Sequence, residues 1–326
     1  MGTDARRVLC LRPEQDFTDV GVEVPHDLDV TFARDEHGVD EIASDVACLV
    51  LPSAGAHLPA SMFEQASGLR LVQYTGAGFD RIPAEVLEGL GCAVSNVPGA
   101  SAADVAAYVV LVAGVIWRRL LVGDELVRAG RYAEARAALA PAHVRGFRGL
   151  HVGVVGFGGI GVEVARLFGS LGASVRWFDP APVTRPEIGQ FESAALDELL
   201  DWSEILTVHV PLLDATRGLI GRTELARLRS GAVVVNAARG GIVDEVALVE
   251  ALDSGALGGA ALDVYEQEPL PANSPIVAAA MRHAGRVMLT PHIAGVTPEA
   301  SRELFERSWL NVSAVMDGRE PVNRVR

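Results

Sequence analysis

Three polar residues of different kinds end short apolar runs in the second half of the chain. They are Arg239 in VNAARGG (235–241), Glu268 in LDVYEQEP (262–269) and His292 in LTPHIAG (289–295). Together a guanidinium, a carboxylate and an imidazole make a workable set for reducing a 2-oxo acid. The planar fork of Arg239 can grip a carboxylate and the adjacent carbonyl, orienting the acid and polarising C=O, which lysine could not reproduce. A histidine starts from a pKa near ~6.5, and a neighbouring Glu268 would favour its imidazolium. His292 would then hold a proton for the developing alkoxide and, in the reverse direction, take one from the hydroxyl. Taken singly, each has a plainer reading: a surface ion pair, a solvated turn residue, a loop hydrogen-bonder. All three downstream of a nucleotide loop favour the chemistry.

That loop is GFGGIG, 156–161. In a chain with 34 glycines the spacing alone is a weak signal. Its context is stronger: a strand-like HVGVV precedes it, a patterned helix follows, and Asp179 ends the next strand 18 residues past Gly161. Gly156 permits the tight turn, Gly158 lets backbone approach a pyrophosphate, and Gly161 lets helix and strand pack closely. Gly159 and Ile160 open the helix, whose N-terminus offers unpaired N–H groups. Asp179 would accept from the ribose hydroxyls and repel a 2′-phosphate, so NAD is expected over NADP.

The positioning elements are read from hydrophobic runs. Short apolar stretches at 8–11, 30–32, 48–51, 71–74 and 93–95 alternate with helix-length mixed segments, predicting a first parallel sheet. A turn at NVPG (96–99) leads into a long buried helix over 101–121, with 98–100 as a candidate hinge. Strands at 152–155, 174–178, 205–208, 232–236, 259–262 and 287–289, with helices at 159–171 and 244–254, predict a second doubly wound unit. The tail 298–317 reads as one amphipathic helix with Thr297 as N-cap and Pro298 in its first turn. The fold class is therefore α/β, with two doubly wound parallel-sheet domains.

Composition narrows the function. The 326 residues are 49% hydrophobic and 21% charged, enough for two packed domains. Twenty-eight basic against 42 acidic side chains leave a formal charge of −14, which disfavours a nucleic-acid partner. Cys10, Cys48 and Cys92 offer neither a disulfide framework nor a zinc knuckle; no metal is expected, and a reducing cytoplasm fits. The N-terminus lacks a signal-peptide core, and the longest apolar run, 105–117, is shorter than the roughly 18 residues that suggest a span. No membrane association is expected.

Read in order, the motifs GAGFD (76–80), NVPG, GFGGIG, VHVPL (208–212), NAARGGIVDE (236–245), ALDVYEQEPL (261–270) and TPHIAG (290–295) resemble the D-isomer-specific 2-hydroxy-acid dehydrogenases over nearly the whole chain. The resemblance implies a flavodoxin-like substrate domain, 1–98 plus 296–326, and a Rossmann NAD-binding domain, 99–295. It implies a homodimer, with the stretch 128–143 as a possible arm against a neighbour. It makes Arg239, Glu268 and His292 the catalytic set and places the substrate carboxylate on the backbone N–H groups of Gly76, Ala77 and Gly78. Asp263 would face the nicotinamide carboxamide, with Ala237 nearby, and His209, Val210 and Pro211 would line the adenosine side.

Several positions depart from the family pattern. Gly159 stands where a larger polar residue is common, Ala107 where glutamate is usual, and Ser101 where asparagine is frequent. Pro52 stands where phosphoglycerate enzymes carry arginine, and Ala77 where phosphite dehydrogenases carry lysine. Ser53, His57, Tyr74 and Phe79 suggest a small 2-oxo acid: glyoxylate, hydroxypyruvate or pyruvate. A phosphoglycerate dehydrogenase, and an NAD(H)-sensing protein like the corepressors of this fold, stay open as alternatives.

Overall fold

The computed structural model describes residues 6–33, 39–140, 145–183 and 189–325. Residues 141–144 of the expected arm lie outside that set. The chain divides into two compact units, 1–101 with 296–326 and 102–295. The crossings thus fall a few residues beyond 98 on the way out and at 295/296 on the return.

In the first unit, β1 (Arg7–Cys10), β2 (Asp29–Phe32), β3 (Val46–Leu51), β4 (Leu71–Tyr74) and β5 (Ala93–Ser95) form one parallel sheet in the order β2-β1-β3-β4-β5. This is the flavodoxin-like order. Every residue of β3 and β4 is buried, as expected of strands covered on both faces. One cover is the C-terminal helix Pro298–Met316, opened by the Thr297 hydroxyl accepting from the Ala300 N–H at 3.1 Å. Its Phe305 and Trp309 rings pack on Phe17 with centroids 4.6 and 5.3 Å apart. The same helix buries Asn311, whose two Nδ2 protons are shared among Gln73 Oε1 (2.9 Å), Ser95 Oγ (3.0 Å) and the Val322 carbonyl (3.0 Å), while its Oδ1 accepts from the Val322 N–H (2.8 Å). One amide thus ties β4, β5 and the C-terminal tail to the returning helix.

The second unit holds β6 (His151–Val155), β7 (Ser174–Phe178), β8 (Glu192–Ser193), β9 (Ile205–Val208), β10 (Ala232–Asn236), β11 (Leu257–Leu262) and β12 (Val287–Leu289). All are parallel, in the order β12-β11-β10-β9-β6-β7-β8. Strand order reverses between β6 and β9, which defines the switch point where ligands bind in such sheets. The helix Ala102–Trp117 lies across this sheet, burying Val105, Val109, Val112 and Ile116 with Val233, Val235 and Ala261. It approaches closely because β11 carries Gly259, where a Cβ would stand 2.5 Å from Ile116. The helix stops short of the expected residue 121. Arg119 takes a left-handed conformation (φ +51°), and a second helix, Leu120–Arg128, leaves at 58°. Among the described residues no single helix is long and apolar enough to cross a membrane.

Replacing Asn311 by leucine leaves Gln73, Ser95 and the Val322 backbone without their buried partner. The expected cost is about 2 to 4 kcal/mol, read as a lower thermal midpoint. A wild-type melting curve would refute that role.

Candidate active site

The turn after β6 is shaped by backbone crowding. At Gly156, φ is +95° and a Cβ would lie 2.6 Å from the His209 carbonyl carbon. At Gly161 a Cβ would lie 2.0 Å from the Gly156 oxygen, so any side chain would push the helix Gly159–Ser170 off its strand. Gly158 and Gly159 differ: nothing lies within 4 Å of a Cβ built there. Open space therefore faces the first turn of a 12-residue helix, where N–H groups and the helix dipole favour an anion. Ile160 packs inward against the core instead. These residues fit a dinucleotide pyrophosphate. Asp179, at the end of β7, accepts from the Phe157 N–H (2.7 Å) and the Ala181 N–H (2.9 Å). Two bonds leave acceptor capacity on the carboxylate for ribose hydroxyls.

Across the switch point, His209 follows β9 and its N–H donates to the Val155 carbonyl at 2.6 Å. Its Nε2 meets Thr207 Oγ1 at 2.8 Å, while the buried Nδ1 has no protein partner. Burial pushes its pKa down to about 3, so the ring is neutral at working pH. Val210 is buried beside it and Pro211 is exposed.

A second cluster forms at the ends of β10, β11 and β12. Asn236 Oδ1 accepts from the Ala238 N–H (3.1 Å) and Nδ2 donates to the Arg239 carbonyl (2.9 Å), clamping the turn that carries Ala237 and Arg239. The Arg239 side chain is half-buried and its Nη1 donates to the Ala238 carbonyl at 2.8 Å. Next to it, a Cβ on Gly240 would stand 1.9 Å from the Tyr265 carbonyl oxygen. The arginine turn therefore lies directly on the loop that leads to Glu268. Glu268 Oε1 accepts from the Tyr265 N–H (3.1 Å), and Oε2 lies 2.8 Å from His292 Nδ1. Burial raises the Glu268 pKa, but the hydrogen bond and charge of His292, the Tyr265 N–H and the Arg239 charge outweigh it, and the net direction is down. Since an ionised carboxylate only accepts, His292 Nδ1 carries the hydrogen and Nε2 is left for chemistry.

His292 itself sits in the left-handed region (φ +56°), which is costly for a residue with a Cβ and persists only where the surroundings hold it. Asp263 does the holding. Its own carbonyl accepts from the His292 N–H (2.8 Å). Its buried carboxylate accepts from the Thr290 hydroxyl (2.6 Å), the Ile293 N–H (2.9 Å) and the Ala294 N–H (2.8 Å). The sequence points Asp263 toward the cofactor; its grip on the histidine loop leaves no motif, because the donors include backbone N–H groups that any residue carries.

The residues expected at the substrate carboxylate lie in the first unit. Gly76, Ala77 and Gly78 have their carbonyls tied by the Val97 N–H (2.9 Å), Asn96 Nδ2 (2.6 Å) and Ser53 Oγ (2.8 Å) respectively. Ser53 thus braces the loop, and a Cβ on Gly76 would lie 2.5 Å from its hydroxyl. Asn96, seen in the sequence only as part of a turn, has the same bracing role. Tyr74 was expected among the substrate contacts, but it is 0% exposed in the core of this unit, so packing is what it contributes.

Residues 111–294 match the family model described as D-isomer specific 2-hydroxyacid dehydrogenase, NAD binding domain. The glyoxylate reductase of Thermofilum pendens is 34% identical over 81% of this chain and 77% of its own. The hydroxypyruvate reductase of Thermotoga maritima is 33% identical over 81% and 83%. The crystal structure of the TT0316 protein from Thermus thermophilus superposes with a TM-score of 0.78 at 29% identity, covering 98% of this chain and 100% of the other.

Two glycine variants separate packing from binding. Gly240→Ala should lower stability by more than about 3 kcal/mol through backbone collision. Gly158→Ala should melt like wild type yet bind NADH more weakly, which calorimetry and a fluorescence titration would read. The buried neutral His209 carries a pH signature. An unfolded chain takes up a proton below its ordinary pKa of 6.5 while the native ring does not, so stability falls as pH drops below 6.5. In His209→Gln the decline in melting temperature from neutral to mildly acid pH should be shallower. Parallel curves for the two proteins would exclude it.

Proposed function

The chain belongs to the D-isomer-specific 2-hydroxyacid dehydrogenase family, and we propose that it transfers a hydride between NAD(H) and a small 2-oxo or D-2-hydroxy acid of the glyoxylate, hydroxypyruvate or pyruvate type. The observation that carries this reading is the Glu268–His292 pair, 2.8 Å apart, with Nε2 of the histidine left for chemistry and the Arg239 charge acting on the same carboxylate.

When bound, NADH supplies the hydride. Gly156, Gly158, Gly159, Ile160 and Gly161 form its pyrophosphate turn; Asp179 holds the ribose; His209, Val210, Pro211, Ala237 and Asp263 belong to the walls of its site. Arg239 binds the substrate carboxylate and draws electron density from the carbonyl. His292 delivers the Nε2 proton to the alkoxide oxygen, and Glu268 keeps the ring oriented. Residues 1–98 and 296–326 are the substrate domain, where Gly76, Ala77 and Gly78, braced by Ser53 and Asn96, offer N–H groups to an acid's carboxylate; residues 99–295 are the NAD domain. Pro52 brings no charge for a phosphate, which argues for an unphosphorylated acid.

A cytoplasmic homodimer accompanies this proposal. Leu111 (67%), Leu120 (51%), Val127 (50%) and Tyr132 (64%) expose apolar surface on three consecutive helices of the second unit, Ala102–Trp117, Leu120–Arg128 and Tyr132–Ala138. A second copy would cover such a patch, and light scattering would read twice the chain mass.

The decisive assay mixes purified protein and NADH with a panel of 2-oxo acids and follows loss of NADH absorbance. Tight NADH binding without turnover of any acid would favour a sensor instead. His292→Ala should lower the reduction rate by about 10² to 10⁴-fold with NADH affinity retained. Arg239→Lys should raise KM and lower kcat. Asp179→Ala should narrow the preference for NAD over NADP. Unchanged kinetics in any of these variants would remove the corresponding role.

A further inference from the structure

A line of hydroxyls runs into the histidine loop from a helix that supplies none of the reacting groups. Tyr108, on the helix Ala102–Trp117, places its hydroxyl 2.5 Å from Thr290 Oγ1, and Thr290 Oγ1 lies 2.6 Å from Asp263 Oδ1. The proton order follows from chemistry. The Asp263 carboxylate can only accept, so the single Thr290 hydroxyl proton points to it, and Tyr108 must donate to the Thr290 oxygen. From Asp263 the line divides to the backbone at His292, Ile293 and Ala294. The loop carbonyl at Thr290 is held from the other side by the Tyr265 hydroxyl at 2.8 Å, and the same hydroxyl lies 3.1 Å from the Leu262 carbonyl.

We propose that Tyr108 is a positioning residue for proton transfer: its hydroxyl, acting only through Thr290 and Asp263, keeps His292 in its left-handed conformation with the ring on Glu268. The inference rests on the reading of His292 as the acid–base group. Without the Tyr108 donor, the Thr290 hydroxyl is free to turn away from Asp263, and one of the three bonds on that carboxylate weakens. The loop then relaxes from a conformation that is costly for a residue with a Cβ. Burial pushes the Tyr108 pKa up to about 12, so the hydroxyl stays a donor throughout the working pH range. The helix is well placed to act as a fixed post, since Val105, Val109, Val112 and Ile116 are buried in the core of the second sheet.

The test is a double-mutant cycle on the intact enzyme with NADH and whichever 2-oxo acid the wild type reduces. Tyr108→Phe and Thr290→Val should each lower kcat by about tenfold, with KM for the acid and NADH affinity little changed. Thr290→Ser, which keeps the hydroxyl, should restore the wild-type rate. The double variant Tyr108→Phe with Thr290→Val should be no slower than Thr290→Val alone, because Tyr108 has no other route to the histidine. Hydrogen exchange of the peptide spanning 290–295, measured without cofactor, should quicken in both single variants while exchange in β6 stays as in wild type. Additive rate losses would show Tyr108 acting directly on substrate or cofactor and overturn the proposal. Unchanged kcat in Tyr108→Phe, or unchanged loop exchange, would overturn it equally. If the wild type reduces no 2-oxo acid, the functional reading itself fails, and that result is distinguishable from additivity in an active enzyme.

Discussion

A single buried carboxylate governs the geometry of the candidate site. Asp263 directly follows β11 and gathers the Thr290 hydroxyl and two consecutive loop amides onto its oxygens, while its carbonyl holds the amide of His292. The conformation of His292 is unfavourable alone, so it must be imposed by neighbours that are themselves fixed. The imposed conformation brings Nδ1 onto Glu268, and that bond sets which ring nitrogen is left for chemistry. Remove the anchor and the histidine remains in the chain but not in place.

The same logic of close backbone contact recurs at the other loops. Gly240 lets the arginine turn rest on the Tyr265 carbonyl, and Gly161 lets the nucleotide helix rest on Gly156. In both cases a missing side chain lets two backbone segments come into direct contact. Substitutions at such points act through backbone displacement, so their effects spread to residues they never touch.

Much of this was legible in the amino-acid order because it follows from periodicity and topology. Apolar runs such as 71–74 and 205–208 coincide with β4 and β9, and parallel strands carry their C-terminal loops to one edge, so Arg239, Glu268 and His292 converge despite their separation. Other features left no such trace. The bend at Arg119 depends on one backbone angle inside a continuous apolar pattern, so the long helix was read as unbroken. Tyr74 carries a polar tip beside the glycine loop 76–78, yet its ring completes a core. Asn96, Asp263 and Asn311 work by satisfying backbone and amide groups distant in sequence, and residue type alone does not say which groups those will be.

The first unit is closed by the last segment of the chain. Phe305, Trp309 and Asn311 pack on or bond to residues from Phe17 to Ser95, with the entire second unit lying between them in sequence. On a ribosome, the leading hundred residues therefore emerge long before the helix that covers their sheet, whereas residues 102–295 are complete once their own sequence has cleared the exit. The nucleotide unit can mature during synthesis, and the earlier-made unit must wait with one apolar sheet face uncovered until the helix Pro298–Met316 emerges. Chaperone demand should accordingly fall more on the earlier-made unit than on the nucleotide unit.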